Sequence, residues 1–262
     1  MLRAFSTAAT GMTGQQMTID TIANNLANLN TTGFKRSMLD FQDLMYVKLA
    51  EPGQEVAAGV RSPTGFEIGS GVRPASTLKV FGQGEMENTG RSLDVAIEGM
   101  GFIKVTTPGG DVRYTRDGSL RLDANGNLVT ANGYLLEPNI SVPADYRTIY
   151  IGKDGTVSVT TGGGGTPTLA GSITLARFPN PSGLSSLGGN LYGETPASGT
   201  AIEGSPGQDG MGSLQQGFLE RSNVQMVTEL VNLIKAQRAY EINSRAIKAG
   251  DQMLTTATRL VQ

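Results

Sequence analysis

Few side chains in this sequence could carry chemistry, and each stands in a pattern that stops short of it. Ser76-Thr77-Leu78-Lys79 has the serine–lysine spacing of penicillin-recognising enzymes, in which the serine is a nucleophile. The companion Ser-Asp-Asn and Lys-Thr-Gly motifs are missing. Asp123-Ala124-Asn125-Gly126-Asn127 offers the alternating oxygen donors of a calcium loop. Its glycine is misplaced and no glutamate closes it at the required spacing, so a hairpin turn is expected there. Gly162 to Gly165 lacks the lysine that a phosphate-binding loop needs. Glu85/Glu87 and Asp94/Glu98 could flank a glycosidic bond as a carboxylate pair. Solvated charges on strand edges are the expectation for them. With no His and no Cys in the chain, the commonest general base, the commonest metal ligand and every thiol nucleophile are gone. No catalytic residue, cofactor site or metal site is therefore expected.

Charge and hydropathy exclude further classes. The net charge is −2 and the longest basic run is Lys35-Arg36, so nucleic acid is not expected as a partner. No apolar run approaches 18 residues, so direct membrane insertion is not expected either. Residues 4–16 are broken by Ser, Thr, Gly and Gln and lack the apolar centre of a secretory signal. If the protein leaves the cytoplasm, another route is expected.

The elements that position these residues are dominated by the two ends. Met226, Leu233, Tyr240, Ile247, Leu254 and Val261 recur every seven residues, with Ala236, Asn243, Gly250 and Ala257 as a second ladder of small residues. Phe5, Met12, Ile19 and Leu26 repeat the pattern at the N-terminus, beside Leu2, Ala9 and Ala23. A strict heptad keeps one seam facing a partner, as in a coiled coil. It also marks an ordinary buried helix, and periodicity alone leaves the two readings open. The first helix is expected over residues 2–28, about 40 Å at 1.5 Å per residue. Gly11 and Gly14 weaken it by up to about 1 kcal/mol each, which suits a segment that orders on assembly. Gly33 is expected as a left-handed cap residue. The second helix is expected from Asn223 onward, with Ser222 or Asn223 as its N-cap.

Between the ends, Phe34, Met38, Phe41, Leu44, Met45 and Leu49 fit either a short helix or an extended arm. Residues 51–74, punctuated by Pro52-Gly53, Pro63 and Gly65, read as a long extended loop with at most a loose hairpin. From Thr77 to Phe178 the period falls to two. Asp117-Gly118, Asn125-Gly126, Asn132-Gly133 and Asp154-Gly155 supply hairpin chemistry, so an antiparallel β domain is expected. Residues 180–213 are again Gly-, Pro- and Ser-rich. The fold class is α+β in several parts: long terminal helices, an extended arm and a central antiparallel β domain. The division expected is 1–35 with 221–262 for the helices, 36–83 with 205–220 for the arm, and 84–204 for the β domain. No third element of the chain is expected to cover the helix stripes.

Ala23-Asn24-Asn25-Leu26-Ala27-Asn28, followed by Thr32-Gly33-Phe34-Lys35, resembles the N-terminal signature of the bacterial flagellar rod and hook proteins. Asp94-Val95-Ala96-Ile97-Glu98-Gly99-Met100-Gly101-Phe102 resembles their β-domain motif. Ser222-Asn223-Val224, Glu229-Leu230-Val231 and Gln237-Arg238-Ala239-Tyr240-Glu241 resemble their C-terminal signature. The motifs keep the family's order and span nearly the whole chain; Ile103, where relatives often carry a second Phe, departs from it. Gly71-Val72-Arg73-Pro74 and Tyr114-Thr115-Arg116-Asp117-Gly118 are most similar to the distal-rod members. Hook and proximal-rod members are the alternative, and a cell-wall hydrolase using paired carboxylates is the remote one.

The resemblance implies a non-enzymatic structural subunit that self-assembles into a hollow helical tube and transmits torque from rotor to hook. The terminal helices would form its coiled-coil-like inner layer. The implied assembly interface is Phe5, Met12, Ile19, Asn24, Asn25, Leu26, Asn28 and the heptad Met226 to Val261, with Asn24, Asn25, Asn28, Gln237 and Asn243 setting register. The implied inter-subunit arm includes Phe41, Tyr46, Pro52, Gly53, Pro63 and Gly65. Arg238, Arg245 and Lys248 would face the channel or a polar seam. Implied partners are further copies of the chain, proximal rod proteins, the hook protein, the rod cap protein, and outer-membrane and peptidoglycan ring proteins acting as a bushing. The implied location is the periplasmic rod of the basal body, reached through the flagellar type III apparatus without a cleaved signal.

Overall fold

The computed structural model describes residues 2–53, 55–57, 60–162 and 166–260. The chain divides into two compact units, residues 1–26, 37–78 and 225–262 in one and residues 27–36 and 79–224 in the other.

In the first unit, helix α1 spans Leu2–Ala27 and helix α2 spans Met226–Leu260. Neither contains proline, and the periodic apolar positions keep a constant side toward neighbours. The threonines of α1 do not break it. Thr10, Thr13, Thr18 and Thr21 each donate their hydroxyl to a carbonyl three or four residues earlier. α2 starts at Met226, later than expected, with Glu229 in its first turn, where a carboxylate meets the positive end of the helix dipole. Ser222 and Asn223 therefore do not cap it. The Asn223 side chain is held elsewhere, accepting from the Arg36 amide and donating to the Val80 and Gly82 carbonyls.

Residues 37–79 take the extended alternative and not the helical one, and the loose hairpin is a paired one. Ser37–Asp43 pairs with Val72–Lys79, Val47–Ala50 with Phe66–Ile68, and Glu55–Ala57 with Val60–Arg61. Each pair nests inside the one before, so the segment is one long β-ribbon. Ala58 and Gly59 lie outside the described residues. The outer strands mix apolar and polar residues without alternation, and the inner ones are only two to four residues long, which is why no period-two signal announces them. The ribbon is also the third element that the sequence did not disclose: the Phe41 ring packs at Gly14, and the Val72 amide donates to the Thr10 hydroxyl.

The second unit is antiparallel. Its largest sheet runs in the order Arg121–Leu122, Leu128–Val129, Leu135–Leu136, Phe102–Thr106, Val112–Thr115, Leu191–Gly193, Ser185–Gly188. Leu175–Arg177 pairs with both Phe102–Thr106 and Ile202–Gly204. A three-stranded sheet holds Tyr146–Ile151, Thr156–Thr161 and Thr168–Ser172. Alternation is visible directly: Ile149, Ile151, Val157 and Val159 point into the core while Tyr150 points out. Ile103 and Val105 enter the main core with Leu128, Ile140 and Leu175. Phe102, on the other face of the same strand, joins Phe81, Tyr114, Phe178 and Tyr192 in edge-to-face contacts 4.8–5.8 Å between centroids.

Three of the expected hairpin glycines, Gly126, Gly133 and Gly155, take positive φ near 82–87°. Asp123 organises its turn by accepting from the Asn125 and Asn127 amides. Asp117-Gly118 is not a hairpin, because the strands on either side of it pair elsewhere. Gly118 instead lies flat against Val95, whose amide donates to the Gly118 carbonyl at 3.0 Å. Residues 205–220, expected as linker, supply strands: Ser213–Gln216 pairs with Val95–Glu98, and Phe218–Glu220 with Met86–Asn88. Gly163 to Gly165, within the glycine run that begins at Gly162, lie outside the described residues.

Candidate functional site: assembly surfaces and a buried ionic cluster

α1 and α2 run antiparallel, and small residues make the contact. A Cβ on Gly250 would lie 2.7 Å from the Phe5 ring, and one on Gly11 would lie 2.9 Å from the Asn243 amide. Asn25 donates to Glu229 at 3.5 Å, and it holds Ser37 in both directions at 2.8 and 2.9 Å. Within the chain, the ladder meeting α1 is therefore the small-residue one, extended back by one heptad to Glu229. The large-residue ladder is only partly covered: Leu233 and Ile247 are half-buried, whereas Met226, Tyr240 and Leu254 are exposed. Phe5, Met12, Ile19 and Leu26 are half-buried, Asn24 is exposed, Asn25 is buried and Asn28 is half-buried. Val261 lies outside the described residues. Arg238 and Arg245 lie along α2 and pair with Glu241 at 3.3 and 3.6 Å.

A second apolar face on α2 went unread in the sequence. Val227, Leu230, Val231 and Ile234 are 74%, 41%, 45% and 56% exposed. Their spacing of three, four and seven is one helical stripe, and at 3.6 residues per turn it lies on roughly the opposite side of α2 from Glu229, Ala236, Asn243 and Gly250. The signal was present, but the strict heptad that drew attention selects a different side. The ribbon adds exposed apolar groups: Met45 at 88%, then Tyr46, Leu49, Phe66 and Ile68. Of the predicted arm residues, Phe41 packs at Gly14, Tyr46 lies beside Gly69, and Gly65 sits against Pro52 and the Ala50 carbonyl. Pro52, Gly53 and Pro63 are exposed. Exposed apolar groups gathered in this way mark surfaces for association.

The β unit holds a cluster that no spacing announced. Lys35, Arg116 and Glu220 are buried together. The Lys35 amine reaches Glu220 Oε1 at 2.6 Å and the Gly82 carbonyl at 2.8 Å. Arg116 meets Glu220 Oε2 at 2.9 Å and donates to the Gly99 and Gly101 carbonyls at 2.8 and 2.7 Å. The Gly84 amide donates to Glu220 Oε1 at 2.9 Å. Gly33, at φ +67°, lets its segment cross the Arg116 backbone, where a Cβ would come within 2.8 Å. Burial, and then the Arg116 charge, hold the Lys35 amine below the ordinary lysine value, while Glu220 acts against both. The Thr-Gly-Phe-Lys, Glu-Gly-x-Gly-Phe and Tyr-Thr-Arg-Asp-Gly strings thus meet at one point in space.

Of the paired carboxylates, Glu85, Glu87 and Glu98 are exposed, as expected for solvated charges. Asp94 is not a solvated edge charge: it is buried, gripped by Arg91 through two bonds of 2.8 Å and by the Thr89 hydroxyl at 2.5 Å. Glu98 pairs by its backbone with Ser213. Among the described residues, no group of three or more acidic side chains could hold a metal ion, and no helix is long and apolar enough to cross a membrane.

A helix-and-ribbon unit that leaves a stripe of α2 and part of the ribbon exposed and apolar, and a well-packed antiparallel β unit with no catalytic constellation among the described residues, are the features of a structural protein. Three family models match the chain: flagella basal body rod protein over residues 5–35, flagellar hook protein FlgE/F/G D1 domain over 96–159, and flagellar basal body rod FlgEFG protein C-terminal over 215–260. The flagellar basal-body rod protein FlgG of Borreliella burgdorferi is 48% identical over 262 residues, covering 99% of each chain. That of Buchnera aphidicola subsp. Schizaphis graminum is 48% identical over 260 residues, covering 99% of this chain and all of its own. That of Caulobacter vibrioides is 42% identical over 260 residues and 99% of each chain. This chain belongs to the flagellar basal-body rod protein family.

Proposed function

We propose that the chain is a structural subunit of the flagellar distal rod, which self-assembles into a hollow helical tube and carries torque from rotor to hook across the periplasm. The observation that carries this reading is the pairing of two unlike apolar surfaces on one chain, the far stripe of α2 and the exposed ribbon. Unlike surfaces make heterologous contacts, and a heterologous contact that does not close generates an open helical filament. In that reading the terminal helices form a coiled-coil-like inner layer, and the heptad Met226 to Leu254, half-covered within the chain, completes its packing against neighbours. Other rod proteins, the hook protein and the rod cap protein adjoin the tube's ends, and ring proteins surround it as a bushing. The subunit acts by assembly and not by catalysis, and export through the flagellar type III apparatus brings it to its site. The test is electron microscopy of the purified chain at high concentration beside a wall-degradation assay. Tubes or helical stacks without degradation are expected. Wall cleavage that is lost in Glu98→Ala, with no ordered assembly, would overturn the reading.

A further inference from the structure

The Lys35–Glu220–Arg116 cluster buries two cations on one anion. Such a cluster is a poor way to gain stability, since apolar side chains of the same volume often serve as well or better. What it supplies is direction. The chain leaves the β unit at residues 27, 36, 79 and 224, and the three segments that carry these exits are all tied at this point. Segment 27–36 enters through the Lys35 amine, through the Gly33 amide on the Glu220 carbonyl at 2.8 Å, and through the Arg36 amide on Asn223. The segment after residue 79 enters through the Val80 amide on the Arg36 carbonyl at 2.9 Å, the Gly82 carbonyl and the Gly84 amide. The segment before residue 224 supplies Glu220 itself, and Asn223. Arg116 anchors the whole to carbonyls beside the core strands at Ile97, Gly99 and Gly101.

We infer that Lys35, Glu220 and Arg116 form a clasp whose role is to fix the chain exits of the β unit, so that load entering that unit passes to the terminal segments without local yielding. The mechanical half of this inference rests on the rod reading; the clasp itself does not. Every covalent path out of the β unit runs through the clasped segments, so any torque passed along the chain crosses them. The bonds of Lys35 and Arg116 to the Glu220 carboxylate are short, buried and charge-assisted, the kind least weakened by water or salt.

The test takes the full chain with Glu220→Gln, which keeps the shape and removes the charge, and with Lys35→Met as a second variant. Amide hydrogen exchange is read by mass spectrometry. The expected result is exchange about tenfold faster or more in 27–36, 79–84 and 218–224, with the sheet at 146–161 unchanged, the mark of a local opening. Exchange that rises equally in 146–161, or does not rise at all, overturns the clasp. In cells carrying Glu220→Gln, rods should form in native number by electron microscopy, while swimming speed falls increasingly below native as medium viscosity is raised. Native speed at every viscosity, or loss of the rods themselves, overturns the mechanical role. Rods that never contain this chain would instead defeat the rod reading and leave the exchange result standing.

Discussion

Replacing Val227 and Ile234 with serine should separate folding from assembly. Both residues lie on the far stripe of α2, 74% and 56% exposed in the chain. Fully burying such a side chain stabilises by about 1.5–3 kcal/mol, so covering these exposed fractions contributes about 2–4 kcal/mol per contact. At about 1.4 kcal/mol per tenfold, the double variant should weaken each contact by about thirty- to several-hundred-fold. Serine, valine and isoleucine have similar helix propensities, so α2 itself loses little. The unfolding free energy of the lone chain should stay within about 0.5 kcal/mol. Ala236→Leu is the matched control on the opposite side of α2. Ala236 is buried at the small-residue ladder, and overpacking there should cost the lone chain about 1–3 kcal/mol. Circular dichroism melts report the first quantity, and electron microscopy of assembled rods with motility plates reports the second. Native rods and motility in Val227→Ser/Ile234→Ser, with an unchanged melt, would refute the assignment of this stripe to assembly.

Other outcomes follow from the same geometry. Asn25→Ala removes both bonds to Ser37 and should cost about 1–3 kcal/mol, with the Ser37 amide losing exchange protection first. Gly118→Ala would drive a methyl group into the Val95 carbonyl oxygen. An unfolding free energy lowered by about 2 kcal/mol or more is expected, seen as a lower urea midpoint, and an unchanged midpoint would contradict the close approach described. Stability should fall as pH rises from about 10 to about 12. Bonds from Glu203 and Glu137 raise Lys104 to about 12, and burial raises Tyr192 to about 12. Both folded values lie above the ordinary 10.5 and 10.0, so the folded chain holds protons that the unfolded chain releases. Lys35 opposes this trend, because its lowered value makes folding more favourable as pH approaches 10.5. Urea titrations across this range should show the fall, and Lys104→Met should flatten part of it.

The sequence by itself determined the elements that local physics controls. An apolar repeat near 3.6 residues produced both terminal helices whatever they pack on, and alternation with glycine at positive φ produced the β unit's hairpins. Three signatures, N-terminal, β-domain and C-terminal, were enough to point to the family. Only the tertiary structure decided which side of α2 meets α1. Two apolar faces were written on that helix, and the small one won inside the chain because Gly250 and Gly11 admit Phe5 and Asn243 where larger residues would clash. The ribbon was legible only as an alternative, an extended arm with a loose hairpin, because its strands do not alternate apolar with polar residues and their pairing is not written in either strand alone. The deepest case is Lys35 with Glu220, 185 residues apart, and Arg116 with Glu220, 104 apart. A lysine in a loop signature and an arginine beside an aspartate look like surface charges in one dimension. Folding brings them to one buried carboxylate, and no periodicity records a contact that only chain closure creates.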